Sequence, residues 1–158
     1  MSMGKEIERK FLLKNDGWRG QGRAEQFCQG YLASAAGCVV RVRTAGEKAW
    51  LTVKGKNTGA VRSEFEYPIP LDEARAMLAE LAEKPLIEKQ RHTLELDGAT
   101  WEIDEFYGDN AGLILAEIEL RDENQTFARP DWLGEEVTGD ARYYNSNLGK
   151  NPYKNWRP

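Results

Sequence analysis

Apolar and charged residues alternate along much of this chain. Ile7, Val42, Phe65, Ile103 and Ile118 are each flanked by two like-signed charges, in Glu6-Ile-Glu8, Arg41-Val-Arg43, Glu64-Phe-Glu66, Glu102-Ile-Asp104 and Glu117-Ile-Glu119. A period of two belongs to an extended strand, whose residues i and i+2 share a face. Strand-like segments run over Glu6–Leu13, Phe27–Leu32, Val39–Thr44, Lys48–Lys54, Ser63–Ile69, Leu86–Thr93, Thr100–Phe106 and Ile114–Leu120. Eight antiparallel strands are enough to close a barrel with room inside for a ligand. The turns Ala45-Gly46-Glu47, Gly55–Gly59 and Asp97-Gly98 predict three hairpins, and so a largely up-and-down connectivity.

One helix is expected, capped by Asp72, with Ala74, Met77, Leu78, Leu81 and Ala82 forming a stripe before Pro85. A shorter helix is expected over Asp122–Ala128 and a third after Asp140, through Arg142–Gly149, with a loose tail from Lys150 to Pro158. These stripes read as packing against the apolar outside of the sheet. With no repeat, linker or low-complexity stretch, residues 1–158 are read as a single domain. The fold class is α+β: an eight-stranded antiparallel β-barrel with helices packed outside.

The faces opposite the apolar residues change the picture. The same-sign pairs named above, together with Lys89-Gln-Arg91, place like charges side by side, which is unfavourable unless an opposite charge or an ion compensates. A face that is merely solvated accounts for any one pair. It does not account for six, because a solvated face intersperses its signs. Acid pairs can share a metal ion; basic pairs can clamp phosphate.

Composition narrows the remaining classes. The chain has 158 residues, 41% of them hydrophobic, as in a folded globular protein. A net charge of −4 gives no bulk basic excess, so no nucleic-acid partner is expected. No apolar run is long enough to span a bilayer, and Met1–Lys5 lacks the apolar stretch of a signal peptide, which points to a cytoplasmic protein without a membrane partner. Cys28 and Cys38 show no metal spacing; a disulfide between them is conceivable, but reduced, buried thiols are expected. His92, the only histidine, argues against a histidine-rich zinc site and is read as structural. No nucleophile elbow or P-loop motif occurs.

Glu6-Ile-Glu8-Arg-Lys10 matches an ExExK motif, and the motifs after it keep a recognisable order: Gly30-Tyr31-Leu32, Arg41-Val-Arg43, Thr52-Val-Lys54, Glu64-Phe-Glu66, Lys89-Gln-Arg91, Glu102-Ile-Asp104 and Glu117-Ile-Glu119. With Trp132–Thr138 and Tyr143-Tyr-Asn145, the series resembles short bacterial, inorganic triphosphatase-like members of the CYTH, or triphosphate tunnel metalloenzyme, superfamily. The resemblance implies a tunnel with charged side chains inward, a triphosphate substrate and Mg²⁺ or Mn²⁺. Lys10, Arg41, Arg43, Lys54, Lys89 and Arg91 are then the substrate-binding cations. Glu6, Glu8, Glu117 and Glu119 are expected to hold one metal ion. Glu64, Glu66 and Asp104 hold a second or orient the attacking water, and the catalytic set is Glu64, Glu66, Asp104 and Lys89.

The reading that results is a metal-dependent triphosphatase, foremost of inorganic tripolyphosphate, yielding pyrophosphate and phosphate. Its first alternative, a class IV adenylyl cyclase, lacks an HF-type motif here. A nucleoside or thiamine triphosphatase would need an aromatic shelf from Trp18, Trp50 or Trp101. A polyphosphate- or nucleotide-binding module, or a lipocalin-type barrel with Ile7, Val42 and Phe65 inside, remains the non-enzymatic reading. Glu102 is placed at a tunnel rim or a solvated strand end, Arg62 in solvent, and Tyr31 in packing. A homodimer through an outer apolar patch and the choice between Mg²⁺ and Mn²⁺ are left open.

Overall fold

The computed structural model describes residues 4–35 and 37–156. Met1–Met3, part of the segment read as lacking a signal peptide, lie outside the described residues, as do Arg157 and Pro158 of the tail. The eight expected strands all form: β1 (Lys5–Leu13), β2 (Arg23–Ala35), β3 (Cys38–Ala45), β4 (Lys48–Gly55), β5 (Val61–Pro68), β6 (Ile87–Leu96), β7 (Ala99–Phe106) and β8 (Ile114–Glu119). They close into an antiparallel barrel in the ring order β1-β5-β4-β3-β2-β6-β7-β8. The seam between β1 and β5 pairs Glu6 with Arg62, with the Glu8 N–H donating to the Ala60 carbonyl at 3.1 Å and the Glu64 N–H to Gly4 at 3.0 Å.

The hairpins β3–β4, β4–β5 and β6–β7 form as the turns predicted. The ring is not a plain up-and-down path, however, because β1 lies between β5 and β8 while β2 lies beside β6. The two longest connections between barrel strands bury apolar surface outside the barrel. Between β5 and β6, α1 (Leu71–Glu80) lays Ala74 and Leu78 over Val42 and Ala49. Between β1 and β2, Trp18 joins Phe11, Trp101, Ile103 and Ile118 in the largest core. His92 stacks edge-on against Trp18 at 4.9 Å, the structural place expected of it.

Some local expectations give way to tertiary contacts. The N-cap of α1 is Pro70 and not Asp72, which instead sits with Glu73 in the first turn, where a carboxylate favours the helix dipole. Lys84 donates to the carbonyls of Leu78 and Ala79 at the other end. No helix forms over Asp122–Ala128. There the Asp122 carboxylate accepts from the Asn124 N–H at 2.8 Å and the Gln125 side chain from the Arg121 N–H at 2.7 Å, local bonds that compete with a helical turn. Phe127 is drawn onto Phe11 and Trp101. A short strand absent from the sequence reading, β9 (Leu133–Glu136), pairs with β1 beyond the end of β5.

The third expected helix shortens to a 3₁₀ turn over Ala141–Tyr143, capped by Asp140, followed by α2 (Asn145–Leu148). The tail is packed, not loose: Tyr153 and Trp156 stack edge-on, and Trp156 meets Tyr143 at 5.0 Å. Inward positions at this end of the barrel turn apolar, and Ile87, Phe106 and Leu115 meet Val137, Tyr143 and Leu148. The C-terminal segment thereby closes one mouth. On the outer face Val42, Ile103 and Ile118 are buried as expected, but Phe65 is 49% exposed among the described residues.

Gly30 lies beneath the end of α1 and the segment that follows it. A Cβ there would lie 2.8 Å from Leu86 and 2.9 Å from Ala82. Gly30→Ala is expected to destabilise the fold by about 1–3 kcal/mol, the usual range for overpacking. Thermal denaturation reads this as a midpoint lower by several degrees; an unchanged midpoint contradicts it.

Candidate active site

The alternation carries the charged side chains into the barrel, which excludes a lipocalin-type interior. They line a cavity of about 830 Å³ that includes Glu6, Glu8, Lys10, Arg41, Arg43, Lys54, Glu64, Glu66, Lys89, Arg91, Glu117 and Glu119. Of the site residues expected from sequence, only Asp104 does not line it. Asp104 lies buried beneath the wall, its Oδ1 accepting from Arg91 Nε at 2.8 Å, and its Oδ2 from Arg91 Nη2 at 2.9 Å and Lys89 Nζ at 2.8 Å. Burial opposes ionisation of Asp104, yet these two cations hold its carboxyl well below the usual range. Both oxygens being taken, the geometry makes it an anchor for bases and not a ligand facing the cavity.

The strand order brings acids together on one wall. In register, Glu8 stands opposite Glu119, and Glu117 opposite both Lys10 and Glu102. The Glu8 carboxyl is pushed well above its ordinary value by enclosure, by Glu117 and by Glu6. Glu8 and Glu117 share a hydrogen bond; despite its burial Glu117 is held down to about 2 by Lys10 and by that bond. Glu6 shares a second carboxyl contact with Glu64, and Lys54 Nζ reaches both, at 3.1 Å to Glu6 Oε1 and 3.4 Å to Glu64 Oε2. Enclosure and Glu6 together raise Glu64. Glu64 therefore groups with Glu6, and not with Asp104 as the sequence reading had it. Glu66 is tied to Thr52 Oγ1 at 2.8 Å and Arg41 Nη2 at 3.4 Å.

The opposite wall carries bases in excess. Arg43 makes no ion pair among the described residues; its Nε donates to Gln29 Oε1 at 2.9 Å. Enclosure and the nearby Arg41 and Arg91 pull Arg43 down to about 9. Burial likewise pulls Lys89 down to about 7, against the attraction of Asp104. Arg41 Nε is buried with no partner. Lys10 Nζ donates to the Tyr143 carbonyl at 3.1 Å.

The residues left ambiguous by sequence are placed too. Glu102 pairs with Arg91 Nη1 at 3.3 Å and lines the cavity. Arg62 also lines it, half-buried, with Nε on the Gly55 carbonyl at 2.7 Å, so it is not the solvated side chain expected. Tyr31 is buried, its hydroxyl accepting from Gln29. Sequence reasoning missed Gln29, and named Thr52 and Asn145 only as motif members without a role. Gln29 and Thr52 share the inward parity of Tyr31 and Lys54, so alternation alone could have found them; a search for charges passed over neutral side chains. Asn145 comes from the C-terminal segment, where no periodicity points inward.

The donor set fits a hard divalent cation. It offers carboxylates in two pairs, Glu6 with Glu64 and Glu8 with Glu117, and no histidine or cysteine. Among the described residues no three metal-binding side chains converge. Mg²⁺ commonly takes only one or two carboxylates, completing its octahedron with phosphate and water oxygens. A soft, thiolate-binding metal is not accommodated.

An antiparallel barrel with both signs of charge segregated on its inner walls defines a class of polyanion-binding tunnel proteins. The CYTH domain model matches residues 4–145, and the chain belongs to that family, whose triphosphatases are in general metal-dependent. It is 53% identical over 155 residues to an inorganic triphosphatase of Acetivibrio thermocellus, covering 98% of this chain and 99% of that protein. A second inorganic triphosphatase, from Nitrosomonas europaea, is 37% identical over 147 residues, covering 90% and 95%. The crystal structure of an inorganic triphosphatase superposes with a TM-score of 0.67 at 35% identity, covering 94% of this chain and 95% of that one.

Proposed function

We propose that this protein hydrolyses inorganic tripolyphosphate to pyrophosphate and phosphate with Mg²⁺ or Mn²⁺. One observation carries the reading: a wall of clustered bases, among which Arg43 has no ion pair among the described residues, faces a wall of crowded acids around Glu8 within one cavity. Either wall alone is electrostatically unfavourable, and a polyphosphate with its divalent cation relieves both.

Arg41, Arg43, Lys89 and Arg91 grip the phosphate chain from β3 and β6, the arginines through two-point contacts. Lys54 and Lys10 close on it from β4 and β1. Of the four acids expected at the metal, Glu8 and Glu117, which touch, would hold it, with Glu6 and Glu119 beside them on the same wall; when bound it neutralises charge on the phosphate oxygens. Water attacks the terminal phosphorus, the bridging P–O bond breaks, and pyrophosphate leaves with that electron pair. Glu64, raised from its ordinary value by enclosure and by Glu6, orients the water and accepts its proton, with Glu66 held beside it by Thr52 and Arg41. Asp104 acts through Arg91 and Lys89. Trp18 and Trp101 are buried outside the barrel and Trp50 does not line the cavity. The tryptophan shelf considered for a nucleoside or thiamine moiety is therefore absent from the described lining, whose aromatic members are Tyr31, held by Gln29, and Tyr144. Both cysteines are free thiols, in keeping with a cytoplasmic setting, but Cys28 is half-buried and Cys38 exposed, not buried as expected.

Phosphate release from tripolyphosphate, ATP and thiamine triphosphate, each with Mg²⁺, Mn²⁺ or EDTA, tests the assignment. The expected result is metal-dependent turnover that strongly prefers tripolyphosphate. Cyclic AMP formed from ATP would move the protein to cyclase chemistry. Tight binding of all three without turnover would leave a binding module.

A further inference from the structure

The C-terminal segment does more than close the barrel. Tyr143 and Leu148 are buried among Ile87, Phe106 and Leu115, which pins the residues between them against the inner wall. Asn145 lies there and lines the cavity. Its Oδ1 accepts from Lys89 Nζ at 2.8 Å and from Gln29 Nε2 at 3.1 Å. Gln29, fully buried, is saturated: Oε1 accepts from Arg43 Nε, while Nε2 donates to Asn145 and to the Tyr31 hydroxyl at 3.2 Å. A chain of two neutral amides thus joins the C-terminal segment to two cations of the basic wall.

The stereochemistry of an ammonium makes this consequential. Lys89 has three N–H donors. One meets Asp104 Oδ2 and one meets Asn145 Oδ1, both at 2.8 Å, so the direction of the third is fixed. Without Asn145 the ammonium is free to turn toward Asp104. Gln29, in holding Arg43 Nε, leaves the two terminal nitrogens of that guanidinium for the anion.

We propose that Asn145 is a positioning residue, which with Asp104 aims the remaining Lys89 donor at the bound polyphosphate and through Gln29 holds Arg43 in line with it. The inference rests on the triphosphatase reading above. It makes the packing of the C-terminal segment part of the assembly of the site.

A double-mutant cycle on tripolyphosphate hydrolysis tests it, using wild type, Asn145→Ala, Lys89→Ala and the double variant, each also checked for its thermal midpoint. Asn145→Ala is expected to lower kcat about tenfold with KM within about twofold, the usual cost of losing an orienting partner. In the Lys89→Ala background the same change is expected to cost clearly less, the remainder acting through Gln29 and Arg43. Wild-type kcat in Asn145→Ala, or equal losses in both backgrounds, overturns the proposal. If Asn145→Ala fails to fold, Asn145→Ser, which shortens the acceptor, is read in the same way. Wild type that binds tripolyphosphate without turnover refutes the triphosphatase reading and not this contact. The readout is then the rise in thermal midpoint on adding tripolyphosphate: a smaller rise in Asn145→Ala supports the proposal, an equal one overturns it.

Discussion

Arg43→Ala is expected to lower kcat/KM for tripolyphosphate by about 10²–10³-fold, the range seen when a preorganised donor to developing charge is removed. The protein should nevertheless unfold at or above the wild-type temperature. Most contacts of a buried arginine stabilise the fold, but this one makes no ion pair among the described residues and lies beside Arg41 and Arg91, which disfavour its charge. Its removal leaves only Gln29 Oε1 without a donor. Steady-state kinetics with thermal denaturation separates the two roles. Turnover near wild type, or a clear fall in the midpoint, would show Arg43 to be a structural cation and remove the chief support for an anion in this tunnel.

The acidic wall gives the mirror-image result. Glu8→Gln is expected to reduce metal-dependent turnover by about a hundredfold, since a metal ion supplies several kcal/mol of charge stabilisation in phosphoryl transfer. In EDTA at neutral pH the same variant should be more stable than wild type. Glu8 is held well above its ordinary value by enclosure, Glu117 and Glu6. A group raised in the folded state contributes stability that is fully present below its unfolded value and is lost as pH rises through its folded one. The metal-free wild type should therefore weaken as pH rises above the ordinary glutamate range, and the variant should weaken less. Adding Mg²⁺ should raise the wild-type midpoint well above that of the variant. A variant that keeps its metal response and its activity would show that Glu8 does not serve the ion.

These opposed effects on stability and activity arise from the same like-charge pairs that are visible in the sequence. Glu6-Ile-Glu8 and Arg41-Val-Arg43 say that two charges share a face; they do not say what faces them. Asp104 shows the difference. In sequence it is one more inward acid beside Glu102, yet in the barrel Arg91 and Lys89 occupy both of its oxygens. Gln29 shows the converse, a neutral residue with no claim on notice in sequence that organises Arg43, Tyr31 and Asn145. The helix expected over Asp122–Ala128 failed for a related reason: its side chains found backbone partners nearby, and Phe127 was drawn onto an aromatic core whose other members lie far away in sequence.

By itself the sequence determined the strands, the face of each that is charged, and the ordered motifs of the family. These are local properties, set by a side-chain period of two and by turn chemistry spanning a few residues. Only the tertiary structure decided that β1 closes the ring against β5 and so joined Glu6 to Glu64, whereas Glu8 and Glu117 were already expected together. It also decided that a C-terminal segment would bring Asn145 to Lys89. Closure of a sheet and docking of a segment depend on surfaces contributed by distant parts of the chain, and the alternation within any one strand carries no record of its neighbours.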